Sequence, residues 1–213
     1  MKQHLLFTFS FLFTISLLSA QDETEEALAS IETQEQAKQF IKDKYAFNSK
    51  IFTFNEEKHK SQLAKALFKL EKGNVKTEKS AYEKVLYKII EKNTNAYYRV
   101  AYIFLDGNAY SLESINKLRE ILIKKYNNGI PFSALANQYS MDQNRKKGGD
   151  TGWFTVGSMP TELEDAIISD NHALEDVYIV DIPSKQWYYL VFQSHEPKDI
   201  SEIKVLKIVE PLE

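Results

Sequence analysis

The 213-residue chain contains no cysteine, and this absence excludes several kinds of chemistry. Disulfide bonds, thiol redox catalysis and a cysteine nucleophile all require a residue that the chain lacks. For the same reason we expect no lipid anchor attached through cysteine. Histidine is also scarce, and only His59, His172 and His195 lie beyond the N-terminal segment. With so few soft ligands we expect neither a metal site nor a cofactor.

Glycine and proline are scarce as well, with 7 and 5 residues, so long disordered or collagen-like segments are not expected. Hydrophobic residues make up 43% of the chain, which is enough to build a core. The length allows one domain or two small ones. The net charge of -3 argues against nucleic acid as a partner, because phosphate binding requires a basic stripe.

The first 20 residues have the pattern of a secretory signal. Lys2 supplies a positive charge, residues 5–18 are apolar apart from Thr and Ser, and Leu18-Ser19-Ala20 supplies small residues for cleavage. The alternative is an uncleaved membrane anchor, but the apolar run is short of the roughly 20 residues that a spanning helix needs. No other segment is apolar enough to span a membrane. We therefore predict a signal peptide over residues 1–20 and an exported protein.

The N-terminal half predicts a small α+β domain over residues 33–95, after a flexible acidic lead-in at 21–32. Thr33 and Gln36 form a capping-box pattern that starts a helix. A short strand is predicted at 50–54. Asn55 then starts a second helix with an apolar stripe, and another strand follows at 85–90. The Asn93-Thr94-Asn95 turn pattern marks the boundary between the two halves.

The C-terminal half alternates strands and helices in a way that predicts a compact α+β unit over residues 96–196. We expect a sheet of about four antiparallel or mixed strands with three to four helices. Residues 197–213 are predicted as a tail or an additional strand. The predicted strands are 97–105, 177–181, 187–192 and 200–209, and the predicted helices are 112–126, one that opens at Pro131, and 161–168.

Five short blocks of this half form one linked pattern. They are Gly129 to Ala136, Tyr139-Ser140-Met141-Asp142, Gly148 to Phe154, Gly157-Ser158-Met159 and Leu163-Glu164-Asp165-Ala166. Three glycines in five residues would let the chain turn at positive φ and approach a neighbouring element. Taken together, the blocks resemble the parvulin, or rotamase, family of peptidyl-prolyl isomerases, and their order and spacing agree with the family pattern over residues 97–196.

The resemblance implies catalysis of cis/trans isomerisation at X–Pro bonds, which needs no covalent step. The enzyme must bind the twisted amide better than the planar one. In the family an apolar cup holds the proline ring, and its positions fall here on Met159, Leu163, and Thr151 or Phe154. Leu163 replaces an aromatic residue, which implies a shallower cup. Taken without the family, Met159 and Leu163 are also consistent with ordinary core packing.

The polar centre of the family has two histidines, a Cys or Asp, and a Ser or Thr. The Cys-or-Asp position falls on Asp142, and Ser184 is a loose match for the Ser/Thr position. Tyr102 and Tyr189 stand in place of the two histidines. A phenol is neutral at physiological pH, so the pair could keep a hydrogen-bond network without proton transfer. The alternative is that the two tyrosines only fill a core, and isomerase activity could be retained, weak or absent.

Three functions remain open at this point. The chain could be a prolyl isomerase that assists the folding of exported proteins, a non-catalytic chaperone that binds extended apolar segments in the same groove, or an assembly scaffold. Each of the first two implies unfolded or proline-containing polypeptides as partners. By analogy with exported family members we expect a periplasmic location. Residues 52–92 faintly resemble the second half of the parvulin domain, so we hypothesise a truncated repeat there.

Overall fold

The computed structural model describes residue 24 and residues 26–44, 49–169 and 172–212. The predicted signal peptide at 1–20 lies outside the described residues. The chain divides into two compact units, one formed by residues up to Thr94 together with those from Ile200 onward, and one formed by Asn95–Asp199. Each helix within the described ranges is too short or too polar to cross a bilayer.

Helices and strands alternate along both units, as the sequence pattern predicts for an α+β fold. Short 3-10 turns lie at Gln143–Lys147 and Pro183–Lys185. In chain order the elements are α1 (Gln34–Lys44), β1 (Lys50–Asn55), α2 (Gln62–Phe68), β2 (Val75–Lys79), β3 (Glu83–Tyr97), β4 (Ala101–Asp106), α3 (Leu112–Asn127), α4 (Phe132–Tyr139), α5 (Thr161–Ser169), β5 (Val177–Ile182), β6 (Trp187–Phe192) and β7 (Lys198–Pro211).

The first unit contains a four-stranded sheet in the order β1-β7-β3-β2. β7 pairs antiparallel with β1, and β2 pairs antiparallel with β3. The predicted turn at 93–95 is instead part of β3, because β7 lies beside β3 and Glu91 forms an ion pair of 2.7 Å with Lys204 of that strand. The C-terminal segment is therefore a long strand that completes the first unit.

Two helix starts show how local polar groups set the element boundaries. The predicted capping box is confirmed, since Gln36 N donates to Thr33 Oγ1 at 3.2 Å and Thr33 N donates to Gln36 Oε1 at 3.0 Å. The second helix begins after Ser61 rather than at Asn55. The side-chain oxygen of Asn55 instead accepts from the backbone N–H groups of the loop that follows β1. Asn55 thus terminates a strand, and Ser61 caps the helix.

Side chains of β3 alternate between two hydrophobic clusters, one on each face of the sheet. Leu86 and Ile90 lie in one cluster, and the alternate side chains of β3 lie in the other. We expected the lead-in at 21–32 to be flexible, but its described part packs against the sheet. Leu28 and Ile31 are 1% and 3% exposed and belong to the first cluster, because they cover an apolar face of the sheet that would otherwise meet water.

The second unit contains a three-stranded antiparallel sheet in the order β4-β6-β5. We expected about four strands in this sheet, and the structure has three. Two isolated bridges, Tyr98 with Phe154 and Ala101 with Asp150, add short pairings. β6 is the central strand of this sheet, in agreement with its nearly continuous apolar sequence. Helices α3 and α4 pack on one face of the sheet through side chains such as Leu122 and Leu135, and α5 packs on the other through Ile167.

In both units a short helix precedes an antiparallel hairpin, α2 before β2–β3 and α5 before β5–β6. The strand on the other side of the hairpin differs in its place in the chain. It is β7, which follows the hairpin, in the first unit and β4, which precedes it, in the second. This shared order is compatible with the truncated-repeat hypothesis, which stays a prediction.

The loop that carries two adjacent glycines passes so close to β4 that a side chain has no room. Gly149 has φ of +80°, and a Cβ built on it would lie 2.4 Å from the Tyr102 carbonyl oxygen. Tyr102 N donates a hydrogen bond of 3.0 Å to Gly149 O. The loop backbone therefore packs directly against the strand that carries Tyr102.

We expect Gly149→Ala to lower the free energy of unfolding by about 3 kcal/mol or more, since it adds a backbone clash to the cost of positive φ. Gly152→Ala is the matched control, because Gly152 also has positive φ, +67°, but no neighbour within 4 Å of its Cβ position. That variant should lose only about 1 kcal/mol. Urea unfolding of both variants measures the difference. Equal losses would contradict the close approach.

Candidate functional site

The polar centre of the second unit is built where β4 passes the loop that follows α4. Ser140 Oγ accepts from Phe104 N at 3.0 Å, and Met141 N donates to Phe104 O at 2.9 Å. These bonds tie the end of α4 to β4. The next residue, Asp142, then caps the 3-10 turn by accepting from Asn144 N at 3.2 Å. The side chains of residues 102 and 142 are thereby brought together.

Both oxygens of the Asp142 carboxylate are engaged by neighbours. The phenol of Tyr102 donates to Oδ2 at 2.7 Å. Ser140 Oγ donates to Oδ1 at 3.0 Å, and Asn144 N donates to the same oxygen. Charge-assisted hydrogen bonds of this kind hold a side chain firmly in one orientation. Asp142 therefore has a fixed position at the surface of the unit.

Tyr102 and Tyr189, which the sequence analysis predicts in place of two histidines, touch each other. Their rings meet edge to face with centroids 5.5 Å apart. Burial, together with the hydrogen bond to Asp142, raises the pKa of Tyr102 far above its usual value of 10.0. Burial raises the pKa of Tyr189 to about 12, with a smaller contribution from the charge of Asp142. Both phenols are therefore neutral at physiological pH.

A groove of about 500 Å³ opens beside this network. It has an acidic group, a neutral phenol and a thioether on its walls, so it offers both polar and apolar contacts to a bound chain. Four of the residues predicted from sequence line it: Tyr102, Asp142, Thr151 and Met159. The complete lining is Tyr102, Asp142, Gln143, Asn144, Lys147, Thr151 and Met159.

The other predicted site residues lie elsewhere. Leu163 and Phe154 are 2% and 7% exposed and belong to the hydrophobic cluster that also contains Tyr189 and against which Met159 packs. They support the groove from beneath. Ser184 is exposed in the 3-10 turn before β6 and does not line the groove. The structure thus places four of the eight predicted residues in the groove and a fifth, Tyr189, in contact with Tyr102 of its lining.

Sequence reasoning gave no role to Glu164, although it is part of one of the five blocks. Its carboxylate accepts three backbone N–H bonds, from Gly157 at 2.8 Å, Ser158 at 2.7 Å and Met159 at 2.9 Å. Burial opposes its ionisation, but the three donors outweigh that effect and lower the pKa of Glu164. Glu164 therefore fixes the loop that presents Met159 to the groove.

The opposite wall is fixed by Thr151 and Asp150. Thr151 Oγ1 donates to Val100 O at 3.0 Å. Asp150 forms a two-point ion pair with Arg99, through Nε at 2.9 Å and a terminal nitrogen at 2.5 Å, and it also accepts from Gly152 N. The hydrogen bond from Arg99 lowers the pKa of Asp150. Across the described ranges, no group of acidic or histidine side chains is placed to hold a metal ion.

A protein-family model described as the PPIC-type PPIase domain matches residues 84–191, about half of the chain. The match starts before residue 97, where the sequence blocks begin to resemble the family. The curated chaperone SurA of Vibrio parahaemolyticus is 33% identical over 84 residues, which are 38% of this chain and 19% of that protein. The foldase protein PrsA of a Geobacillus strain is 34% identical over 103 residues, 48% of this chain and 36% of that protein.

The chain thus spans about a fifth to about a third of the length of these curated relatives. Among solved structures, the peptidylprolyl isomerase PrsA of Bacillus anthracis is 27% identical, with a TM-score of 0.39. That alignment covers 49% of this chain and 43% of the other.

We expect Glu164→Gln to lower the free energy of unfolding by about 2 kcal/mol at neutral pH, because a neutral amide replaces a carboxylate that accepts three N–H bonds. Since the folded-state pKa of Glu164 is below its usual 4.5, the stabilisation is present above that pH and is lost as pH falls through the folded value. Urea unfolding at about pH 7 and about pH 3 measures both effects.

Glu162→Gln is the control, since Glu162 is exposed on the same helix. It should change stability little at either pH. A Glu164→Gln variant that is as stable as the control at neutral pH would show that the carboxylate does not anchor the Met159 loop.

Proposed function

The chain belongs to the PPIC-type peptidyl-prolyl isomerase (parvulin) family, and from that premise we propose that it catalyses cis/trans isomerisation of X–Pro bonds in exported polypeptides. The single observation that carries the proposal is the hydrogen bond from Tyr102 to Asp142, 2.7 Å long, on the wall of an open groove. It keeps the family's acidic group in place although both histidines are absent.

Isomerisation requires only that the groove bind the twisted amide better than the planar one. In a planar amide, resonance moves negative charge onto the carbonyl oxygen, and twisting the C–N bond removes that resonance. A carboxylate beside the carbonyl oxygen therefore disfavours the planar form more than the twisted one. Asp142 supplies this charge, and Met159 supplies an apolar contact for the proline ring. Neither contribution requires proton transfer.

The second candidate is a chaperone that binds extended segments in the same groove without catalysis. The observation that favours it is that both oxygens of Asp142 already accept bonds from within the protein. A carboxylate has about four acceptor positions, and three of those of Asp142 are filled, so little capacity is left for a hydrogen bond to a substrate. With the shallower cup implied by Leu163, this reading predicts binding of apolar segments with little preference for proline.

We propose export to a periplasm as the setting for either role. The signal pattern over residues 1–20 supports it. The clients in this proposal are unfolded or proline-containing polypeptides.

We expect measurable acceleration of Xaa-Pro isomerisation in a protease-coupled assay, lowered about tenfold or more in Asp142→Ala because the charge beside the carbonyl is lost. Tyr102→Phe should also be slower, since the carboxylate loses the bond that orients it. Tyr110→Phe is the matched control, because Tyr110 is 56% exposed and away from the groove.

A wild-type rate equal to the uncatalysed rate would rule out the isomerase. Suppression of client aggregation by the same preparation, lost in Met159→Asp, would then support the chaperone. Loss of aggregation suppression in the Tyr110→Phe control would show that the groove is not the site of either activity.

The isomerase rate should be independent of pH between about 6 and about 9. The raised pKa of Tyr102 and the pKa of about 12 for Tyr189 keep both phenols protonated across this range. Since raised values delay ionisation, any fall in rate through phenol deprotonation should begin only in strongly alkaline solution. A bell-shaped profile of kcat/KM centred near neutrality would contradict catalysis without proton transfer.

A further inference from the structure

The first unit carries its own groove of about 790 Å³, built entirely from residues 56–76. The loop after β1, helix α2 and strand β2 all contribute to its lining. None of these residues belongs to the family blocks or to the Asp142 groove. The groove therefore needs an explanation of its own.

The floor of this groove is apolar. It is formed by Ala66 and Phe68 of α2 and by Leu70 after the helix, all of which are half-buried. Phe68 and Leu70 also pack against the hydrophobic cluster beneath the sheet, so their positions are fixed by the core. A recessed apolar floor of this kind is suited to receiving side chains from a bound segment.

The rim is strongly basic. Lys60, Lys65, Lys69 and Lys76 line the groove, and Glu56 is the single acidic residue among the lining side chains. This excess of positive charge stands out in a chain whose net charge is -3. Electrostatic attraction at such a rim favours an acidic ligand.

The internal partners of these lysines are weak or lacking. Lys60 pairs with Glu57 at 3.6 Å and Lys76 with Glu78 at 3.2 Å, and each of these side chains is at least 30% exposed, so such pairs contribute little. Lys65 of α2 and Lys69, the residue at the C-terminal cap of that helix, are one helical turn apart, so their charges repel each other. In the described part of the chain, no carboxylate forms an ion pair with either of them. An anionic ligand would relieve this repulsion.

The shape of the groove decides which acidic partner fits. A lipid bilayer meets protruding apolar side chains, whereas this floor is recessed behind long lysine side chains. A polypeptide can place acidic side chains on the rim and apolar ones on the floor. β2, which supplies Lys76, is the last strand in the order of its sheet, and a sheet edge is a common docking place for an extended chain.

We propose that this groove binds an extended polypeptide segment in which acidic side chains alternate with apolar ones. The acidic side chains pair with the lysines of the rim, and the apolar side chains rest on Ala66, Phe68 and Leu70. This site acts independently of the Asp142 groove and does not require isomerase activity.

A fluorescein-labelled dodecapeptide of alternating glutamate and leucine, titrated with the full chain and followed by fluorescence anisotropy, tests the proposal. We expect saturable binding that weakens as salt is added, and little binding of the matching lysine–leucine peptide. The double variant Lys65→Glu/Lys69→Glu should bind about tenfold more weakly. The double variant Lys42→Glu/Lys124→Glu changes the net charge equally at exposed positions outside the groove and should bind as the wild type does.

The variant Ala66→Arg distinguishes binding in the groove from a general electrostatic attraction. It adds a positive charge but fills the apolar floor, so the proposed site predicts weaker binding and simple attraction predicts tighter binding. Helix-compatible arginine on a half-buried position should leave the fold intact, which circular dichroism verifies. Asp142→Ala should leave the affinity unchanged.

Tighter peptide binding by Ala66→Arg, or equal losses in the two double variants, would overturn the proposal. It would also be overturned if the wild type bound phosphatidylserine vesicles through Lys65 and Lys69 but did not bind the peptide. Binding that disappears in Asp142→Ala would place the peptide in the other groove and would likewise be incompatible with a separate site.

Discussion

The contact between the glycine loop and β4 determines the geometry of the second unit. Gly149 leaves no space for a Cβ against Tyr102, and its carbonyl accepts both Tyr102 N at 3.0 Å and the Asn144 side chain at 2.6 Å. Because this carbonyl is fixed from two sides, the 3-10 turn before the loop and strand β4 cannot shift independently. The positions of Asp142 and Thr151 on either side of Tyr102 follow from that one approach.

Much of the fold follows from local pattern, and the rest depends on partners that are distant in sequence. The capping pair Thr33 and Gln36, the alternation along β4 and the apolar run of β6 each carry their structure in a few adjacent residues. β2 and the outer part of β3 are polar and exposed, so they lack a hydrophobic period. Their strand conformation depends on pairing within a sheet that is completed by β7, more than a hundred residues after β3 begins.

The site could be predicted wherever a motif position coincides with an element that faces the groove. Tyr102, Asp142, Thr151 and Met159 meet that condition. Leu163 does not, because α5 turns it toward the core on the same face as Ile167, four residues later. The role of Glu164 was also missed. A motif records which residue is present but not which backbone N–H groups fold back to meet it.

Three carboxylates hold the loops of this site in place, those of Asp142, Asp150 and Glu164. Each accepts a hydrogen bond from a backbone N–H of a nearby loop. Such bonds hold the loops that form the groove walls in fixed positions. They do not require a group that titrates near neutral pH. The exchange of two histidines for Tyr102 and Tyr189, which the sequence resemblance implies, would therefore remove a possible proton relay but leave the walls intact. Since isomerisation of an X–Pro bond needs a shaped and charged surface rather than a proton, the proposed isomerase activity is compatible with two tyrosines in the site. The balance between the two proposed functions then depends on how much more tightly the groove binds the twisted amide than the planar one.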